Sequence, residues 1–539
     1  MAQANSGLPP TLAANRRLDR WIGFDEPGVV TVRTGKVEIG QGIVSAMAQI
    51  AAEELDVDYA RIRMVAVDTT QSPDEGSTSG SRSVEEGGSS LRLVCAEVRD
   101  LLLQAAAQRF KVSLERLIVA DGTVAVRDGD ARASYWELAR AVDFSREASG
   151  QVAPKPAQEL AQVGRPLPRL DIPRKVTGGG FIQDLELPGM LHARVVRPPS
   201  YRAQLVALDD APVRAAPGVV TVVREGNFLG VIAEREEQAV KAAALLAKHA
   251  QWREAADLPD LDALPAFLRT QPAEDEVLSD QCGDSAGGGA RLTATYTRPY
   301  LAHASIGPSC ALAWWREDVI EVWSHSQAIF ALRAELAKTF KRDAASIVVR
   351  HAEGAGCYGH NGADDAALDA VLLARAVAGR PLRLQWSRED EFGWEPFGPA
   401  MMLQLEGELT ADGRVANWQQ QIWGNRHLTR PGRFPQPGLL AAWLTDPALA
   451  PPAAIDIPIA MGGGSQRNAV PYYDFAQERV TNHAVTPMPL RVSTLRALGA
   501  HLNVFAIESF MDELAGAAGV DAVEFRLRRL NDPRARAVV

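Results

Sequence analysis

The spacing of apolar positions changes period along the chain, and each change marks an element. Residues 30–37 alternate as a strand and run into Gly40-Gln41-Gly42; residues 44–55 then take up the spacing of an amphipathic helix ending near Asp56. A second strand is predicted over 62–67, a long helix over 83–112 with Gly87-Gly88 near its start, and a hairpin over 119–126 turning at Asp121-Gly122. Five prolines between 148 and 175 then interrupt every periodicity, which is linker composition. Strands over 191–196, 219–224 and 229–232 and an Ala-rich helix over 234–249 make a compact α+β unit, and the polar, acidic stretch 255–289 reads as a second linker. The remainder is mixed α/β. It carries a hairpin over 312–323, helices over 328–340, 363–378, 500–518 and 520–530, and strands over 347–350 and 382–386. A Pro/Gly-rich excursion over 430–470 either passes around a site or wraps a neighbour. The pattern divides the chain into 1–150, a linker 151–175, a unit 176–255, a linker 256–289 and a unit 290–539, with no internal repeat.

Bulk properties narrow the function. With 539 residues, 46% hydrophobic and 23% charged, the chain has ordinary globular composition and can bury a large core. A net charge of -10 without a basic run argues against nucleic acid as partner. No apolar run reaches the length of a membrane span, and residues 1–20 hold no apolar signal core, so a cytoplasmic location is the default, with the periplasm left open. The four cysteines have no Cys-x-x-Cys spacing and do not read as a zinc site, an iron–sulfur site or a disulfide framework.

Five short motifs carry candidate chemistry. The stretch Gly354-Ala355-Gly356-Cys357-Tyr358-Gly359-His360-Asn361-Gly362 lies between a strand and a helix. Glycine lets backbone approach a ligand, and a helix start offers free N–H groups to an anion or an electron-rich cofactor. The spacing is neither a Walker A loop nor a dinucleotide fingerprint; alone it is either a bare turn or a cradle for another group. Gly40-Gln41-Gly42 repeats the arrangement with an amide that can meet a heterocycle or phosphate; taken alone it reads first as a plain helix entry. Gly76-Ser77-Thr78-Ser79-Gly80-Ser81-Arg82-Ser83 gathers hydroxyls, glycine N–H groups and an arginine before the long helix, which suits a phosphate or pyrophosphate; otherwise it is a solvated loop with Ser83 as N-cap. Gln327 follows a strand end and could aim an amide at a reactive centre or serve as a capping residue. Arg496 enters a helix where the dipole does not favour it, so it either faces an anion or lies on the surface. His303, Cys310, Cys357 and His360 match no closed metal site.

The order of these motifs resembles the molybdopterin-binding subunits of the xanthine oxidase family, in the branch that holds the β subunits of isoquinoline 1-oxidoreductase and the B subunit of nicotinate dehydrogenase. The likeness runs from about Leu12 to the end. Its markers are residues 35–42, the loop Ser79-Gly80-Ser81-Arg82-Ser83, residues 163–171, Leu187-Pro188-Gly189-Met190-Leu191, the glycine loop and Arg496-Ala497-Leu498-Gly499. The resemblance implies an α+β, mixed α/β fold of aldehyde oxidase/xanthine dehydrogenase-type molybdopterin-binding domains, with an α/β hammerhead module over 176–255. Residues 1–150 would be part of the second cofactor domain and 290–539 the first. It also implies molybdenum on a molybdopterin, as the cytosine dinucleotide, with no protein ligand to the metal. Gly40, Gln41, Gly42 and the loop 79–83 would hold pterin and pyrophosphate. Gln327 and residues 354–359 would lie beside the metal, and Arg496 on the substrate side. The implied reaction hydroxylates an aldehyde or aromatic N-heterocycle with water as oxygen source, and electrons leave through a separate small [2Fe–2S] subunit. Pocket walls are expected from loops, including 394–402 and 430–470.

Two departures accompany the likeness. Cys357-Tyr358 and His360 stand where many relatives have Phe and a charged residue. The general-base Gly-x-Gly-Glu motif of the family is absent from the sequence. The expectation is that a second large-subunit fragment supplies that glutamate and the strands that would pair with residues 30–70; the alternative is a non-catalytic scaffold chain.

Overall fold

The computed structural model describes residues 7–255, 258–284 and 287–539. Its centre is a seven-stranded sheet in the order Ile347–His351, Ile320–Ser324, Cys310–Trp315, Pro381–Gln385, Leu191–Val195, Phe228–Ala233, Val219–Glu225. Leu382 pairs in parallel with Leu191, so strands from either side of the stretch 256–289 share one sheet. The helix Ala363–Arg375 crosses this sheet and is buried from Ala363 to Ala374. Its alanines and leucines allow close approach, and its three acidic residues each find a cation or histidine: His360 for Asp364, Arg491 for Asp365 and Arg197 for Asp369.

A five-stranded sheet stands beside it, in the order Ala273–Cys282, Gln477–Val485, Val415–Gly424, Met401–Thr410, Gly288–Arg298. The helix Ala500–Ala518 packs Phe510 and Leu514 onto it beside Gly407, where an added Cβ would lie 3.0 Å from the Phe510 ring. The stretch expected as a linker over 256–289 instead holds the helix Leu264–Thr270 and the ten-residue strand Ala273–Cys282. That strand lies at the sheet edge with almost every side chain exposed. Backbone pairing to Gln477–Val485 holds it, so its sequence has no apolar alternation to read.

The N-terminal part packs the helices Ile43–Leu55 and Ser89–Phe110 against a three-stranded sheet of Ile22–Gly23, Val30–Val32 and Ile62–Met64. The strand predicted over 30–37 leaves the sheet after Val32 because its next polar residues turn inward. Lys36 Nζ donates to the Glu75 carbonyl at 2.6 Å, and the Glu75 carboxylate accepts from the Gly35 N–H at 2.7 Å. The helix predicted over 83–112 opens with a π-helical turn, Ser83–Gly88, that no side chain caps, so Ser83 is not its N-cap. Residues 67–69 continue to the edge of the central sheet. The His351 N–H donates to the Val67 carbonyl at 2.8 Å and the Thr69 N–H to Val349 at 3.1 Å. This part of 30–70, expected to want strand partners, is thereby clipped onto the strand that leads into the glycine loop. No helix among the described residues is long and apolar enough to cross a membrane.

Candidate active-site cavity

Five segments distant in sequence meet at one cavity of about 1180 Å³, and each catalytic or cofactor-binding residue expected from the sequence lies on its wall. These are Gly40, Gln41 and Gly42, then Ser79, Gly80, Ser81, Arg82 and Ser83, then Gln327, then Gly354, Ala355, Gly356, Cys357, Tyr358 and Gly359, and Arg496.

The glycine loop is fixed by backbone pairing to the Arg496 segment. The His360 N–H donates to the Thr494 carbonyl at 2.8 Å and the Arg496 N–H to the Tyr358 carbonyl at 2.7 Å. Gly359 lies between these bonds at φ +133°, where an added Cβ would sit 2.1 Å from the Thr494 oxygen. The Arg496 side turns through two left-handed residues, Ala497 at φ 74° and Leu498 at φ 52°, strained conformations that the packing around them must hold. Arg298, buried, supports that turn by donating to the Leu498 carbonyl at 3.0 Å. The Arg496 guanidinium is exposed on the cavity wall and has no partner among the described residues.

Other details differ from expectation. Gln41 spends both ends of its amide on its own loop, accepting from the Ile39 N–H at 2.7 Å and donating to the Val37 carbonyl at 3.0 Å. The N–H groups of Gly40 and Gly42, expected for a ligand anion, are taken by the Glu38 carboxylate at 2.9 and 2.8 Å. Glu38 thus does at this helix start what a bound anion would do. The helix start after the glycine loop is likewise turned away from the cavity, and the Asn361 side chain accepts from the Ala363 N–H at 3.2 Å. Residues 394–402 do not line the cavity; Trp394 is buried, stacked on Tyr201 at 4.6 Å.

The loop 76–83 keeps three hydroxyls free. The Ser79, Ser81 and Ser83 hydroxyls have no protein partner among the described residues, while Arg82 pairs with Glu86. Gln327 holds this loop in place. Its backbone carbonyl accepts from the Thr78 N–H at 2.9 Å and its side-chain Nε2 donates to the Thr78 carbonyl at 2.8 Å. Its Oε1 accepts from Arg430.

Sequence reasoning missed Arg430, Arg433, Arg467, Lys175, Glu353 and Asp456, all on the wall. The signal available was an excursion over 430–470 carrying arginines among prolines and glycines; it does pass around the site. In a chain of net charge -10, the wall collects six cationic side chains and two carboxylates. Both carboxylates are engaged: Glu353 with Lys175, and Asp456 with the Ser465 side chain and the His427 N–H. Glu38, Asp171 and Glu353 approach one another closely enough to suggest a cation site. Arg169 and Lys175 already neutralise them, and Asp171 is held down to about 2, its hydrogen bonds to these two cations outweighing the burial that would raise it. The charge of the wall suits an anionic ligand.

Behind the glycine loop lies a buried titratable layer. Burial lowers His303 to about 3, His325 to about 4 and His351 to about 3 from 6.5. Burial, with the neighbouring Glu391 charge, raises Glu395 from 4.5 to about 8. The histidines contribute stability above their ordinary range that is lost as pH falls through 6.5 towards 3–4. Glu395 contributes stability that is full below 4.5 and lost as pH rises through about 8. Urea midpoints are therefore expected to peak at roughly pH 6.5, to fall steeply on the acid side where three histidines outweigh one carboxyl, and to fall more gently on the alkaline side. Glu395→Gln should flatten the alkaline limb; an unchanged limb would remove Glu395 from this account.

Comparison with known proteins agrees with the cavity. The molybdopterin cofactor-binding domain family matches residues 2–164 and again residues 280–430. The chain is 40% identical to the B subunit of nicotinate dehydrogenase from Pseudomonas putida over 98% of its own length and 44% of that protein. It is 26% identical to the β subunit of isoquinoline 1-oxidoreductase from Brevundimonas diminuta, over 96% of this chain and 71% of that one. Among solved structures, quinoline 2-oxidoreductase from Pseudomonas putida 86 superposes with a TM-score of 0.51 at 19% identity, covering 68% of this chain and 50% of that one. The Cu,Mo-CO dehydrogenase does so with a TM-score of 0.52 at 16% identity, covering 69% and 51%. At these identities the superpositions establish the fold. The two family matches define a molybdopterin cofactor-binding chain. The chain belongs to the xanthine oxidase family of molybdenum-binding subunits, and it spans less than half the length of its nicotinate dehydrogenase relative.

Proposed function

We propose that this chain is the cofactor- and substrate-binding part of a molybdenum hydroxylase acting on an aromatic N-heterocycle or aldehyde. The observation that carries the reading is the cavity wall of six cations against two engaged carboxylates, built on the five segments that carry the family's motifs. The residues fit a molybdenum–pterin group: three free serine hydroxyls and Arg82 suit a phosphate chain, and glycine backbone without side chains gives a flat ligand room.

When bound, that group supplies two-electron oxidation of an electron-poor carbon with water as oxygen source, so that C–H and H₂O become C–OH, two protons and two electrons. The chain's own residues set the conditions. Ser79, Ser81, Ser83 and Arg82 hold the phosphate end, and the cytosine dinucleotide form would extend along this cavity. Thr78 and Arg430 fix the Gln327 amide between them, so its second N–H is the group left for the ligand. Arg496, without a partner among the described residues, faces negative charge developing on the substrate. The proton acceptor is a carboxylate from outside the described wall, in a second large-subunit fragment, because Glu353 and Asp456 are both engaged. A separate small [2Fe–2S] subunit takes the electrons, since the four cysteines form no cluster-binding set.

The test is metal and nucleotide analysis of the chain purified with its co-expressed neighbours. About one molybdenum per chain and release of cytidine monophosphate on acid hydrolysis are expected, with both reduced in Arg82→Glu. A preparation with full occupancy of partner subunits and neither molybdenum nor pterin would sink the proposal.

A further inference from the structure

Beneath the glycine loop three buried polar side chains stand in line, Ser493, His360 and Asp364, none of them on the cavity wall. His360 Nδ1 lies 2.7 Å from Ser493 Oγ, and its Nε2 faces Asp364 Oδ2 at 3.0 Å. Each comes from a different part of the site. His360 directly follows Gly359, Ser493 shortly precedes Arg496, and Asp364 lies in the first turn of the central helix Ala363–Arg375. A further segment joins, because Ser493 Oγ also accepts the Thr429 N–H at 3.4 Å, next to Arg430 of the wall. Burial would raise the Asp364 carboxyl, but the His360 and Ser326 side chains and the Arg430 charge hold it below its ordinary value; Ser326 is the neighbour of Gln327.

These charges fix the direction of the bonds. Burial, aided by the Arg430 charge, holds the imidazole below its ordinary value against the pull of Asp364 and Asp365, so it is uncharged at neutral pH. A neutral imidazole has one N–H, and the nitrogen beside an ionised carboxylate carries it. Nε2 therefore aims its proton at Asp364, Nδ1 is left as an acceptor, and the Ser493 hydroxyl donates to it. The line adds to the two backbone bonds between the glycine loop and the Arg496 segment, and it ties both to the buried central helix. Groups around a reacting centre need such support to stay within about 0.5 Å of their working places. Resting on the functional reading above, we propose that His360 is a positioning residue for the reaction: oriented by Asp364 as the Nε2–H tautomer, it grips Ser493 and so sets the spacing of the glycine loop and Arg496 across the cavity. It lines no part of the cavity, so it acts on the geometry of the wall and not on whether ligands bind.

His360→Gln and Ser493→Ala test this in the complete, cofactor-loaded complex. Glutamine keeps an amide N–H for Asp364 near the place of Nε2 and removes the acceptor that Ser493 needs; alanine removes the donor alone. Each should lower kcat per molybdenum by on the order of 100-fold, the cost of misplacing reacting groups by about 1 Å, with KM and molybdenum content within about 3-fold of wild type. The double variant should lose no more than the more severe single one. Turnover is read on quinoline, pyridine-3-carboxylate and benzaldehyde. Two signals need no turnover. Spectra of the complex labelled with ¹⁵N-histidine should hold a resonance pair of a protonated Nε2 and a bare Nδ1 that disappears in His360→Gln, and the Mo(V) electron paramagnetic resonance of the dithionite-reduced complex should shift in both variants. A fall in rate that only follows a fall in molybdenum content would make the line a folding element and overturn the proposal. So would losses that multiply in the double variant, a His360 protonated at Nδ1, or an unshifted Mo(V) signal. If His360→Gln does not fold, Ser493→Ala, which deletes a single hydroxyl, decides. A wild type that oxidises none of the probes while both variants shift the Mo(V) signal would leave the positioning role standing and remove the hydroxylase reading.

Discussion

Gly359→Ala is expected to destabilise the chain by about 3 kcal/mol or more and to empty the cavity of cofactor. The added methyl would lie 2.1 Å from the Thr494 carbonyl oxygen and 3.0 Å from the His303 ring, at a φ of +133° that side chains rarely adopt. Relief requires the glycine loop and the Arg496 segment to part, which breaks the two backbone bonds that hold them. Both lie on the wall, so the defect is functional as well as structural. Thermal unfolding and molybdenum content of the variant check this together. Wild-type values for both would show that the pairing does not set the site.

Asp365→Ala carries the second large effect. Asp365 is fully buried, meets the Arg491 guanidinium at 2.7 and 2.8 Å, and accepts the Leu440 N–H at 2.8 Å. Arg491 in turn donates to the Trp394 carbonyl at 2.7 Å. One carboxylate thus ties the central helix to the chain just before Arg496 and to the 430–470 excursion. Its loss strands a buried guanidinium, which costs about 3–5 kcal/mol. Urea unfolding should show this, and the double variant Asp365→Ala, Arg491→Met should be less destabilised than the two single losses summed. Additive losses would mean that the ion pair contributes nothing beyond its separate parts.

The elements legible in sequence were those whose burial leaves a period. The helices Ile43–Leu55, Ile329–Phe340 and Ala500–Ala518 fall within two residues of their predicted bounds, as do the strands entering the central sheet. The edge strand Ala273–Cys282 was hidden because backbone pairing, not side-chain burial, holds it. The end of the predicted strand 30–37 misled because Lys36 and Glu38 are buried by hydrogen bonding rather than by apolarity. The family resemblance assigned Gln41 to the cofactor, and only the fold shows that its amide closes its own turn.

By itself, then, the sequence determined which residues form the cavity wall in outline and which family the chain belongs to, because glycine-rich turns and hydroxyl clusters are local and keep their spacing. Tertiary structure alone decided which of those groups are free. Glu38 folds back to claim the Gly40 and Gly42 amides, Arg430 reaches Gln327 across 103 residues, and Thr494 closes on Gly359 from another segment. Whether a donor meets protein or ligand depends on what stands opposite it, and that is set by packing that no local pattern encodes.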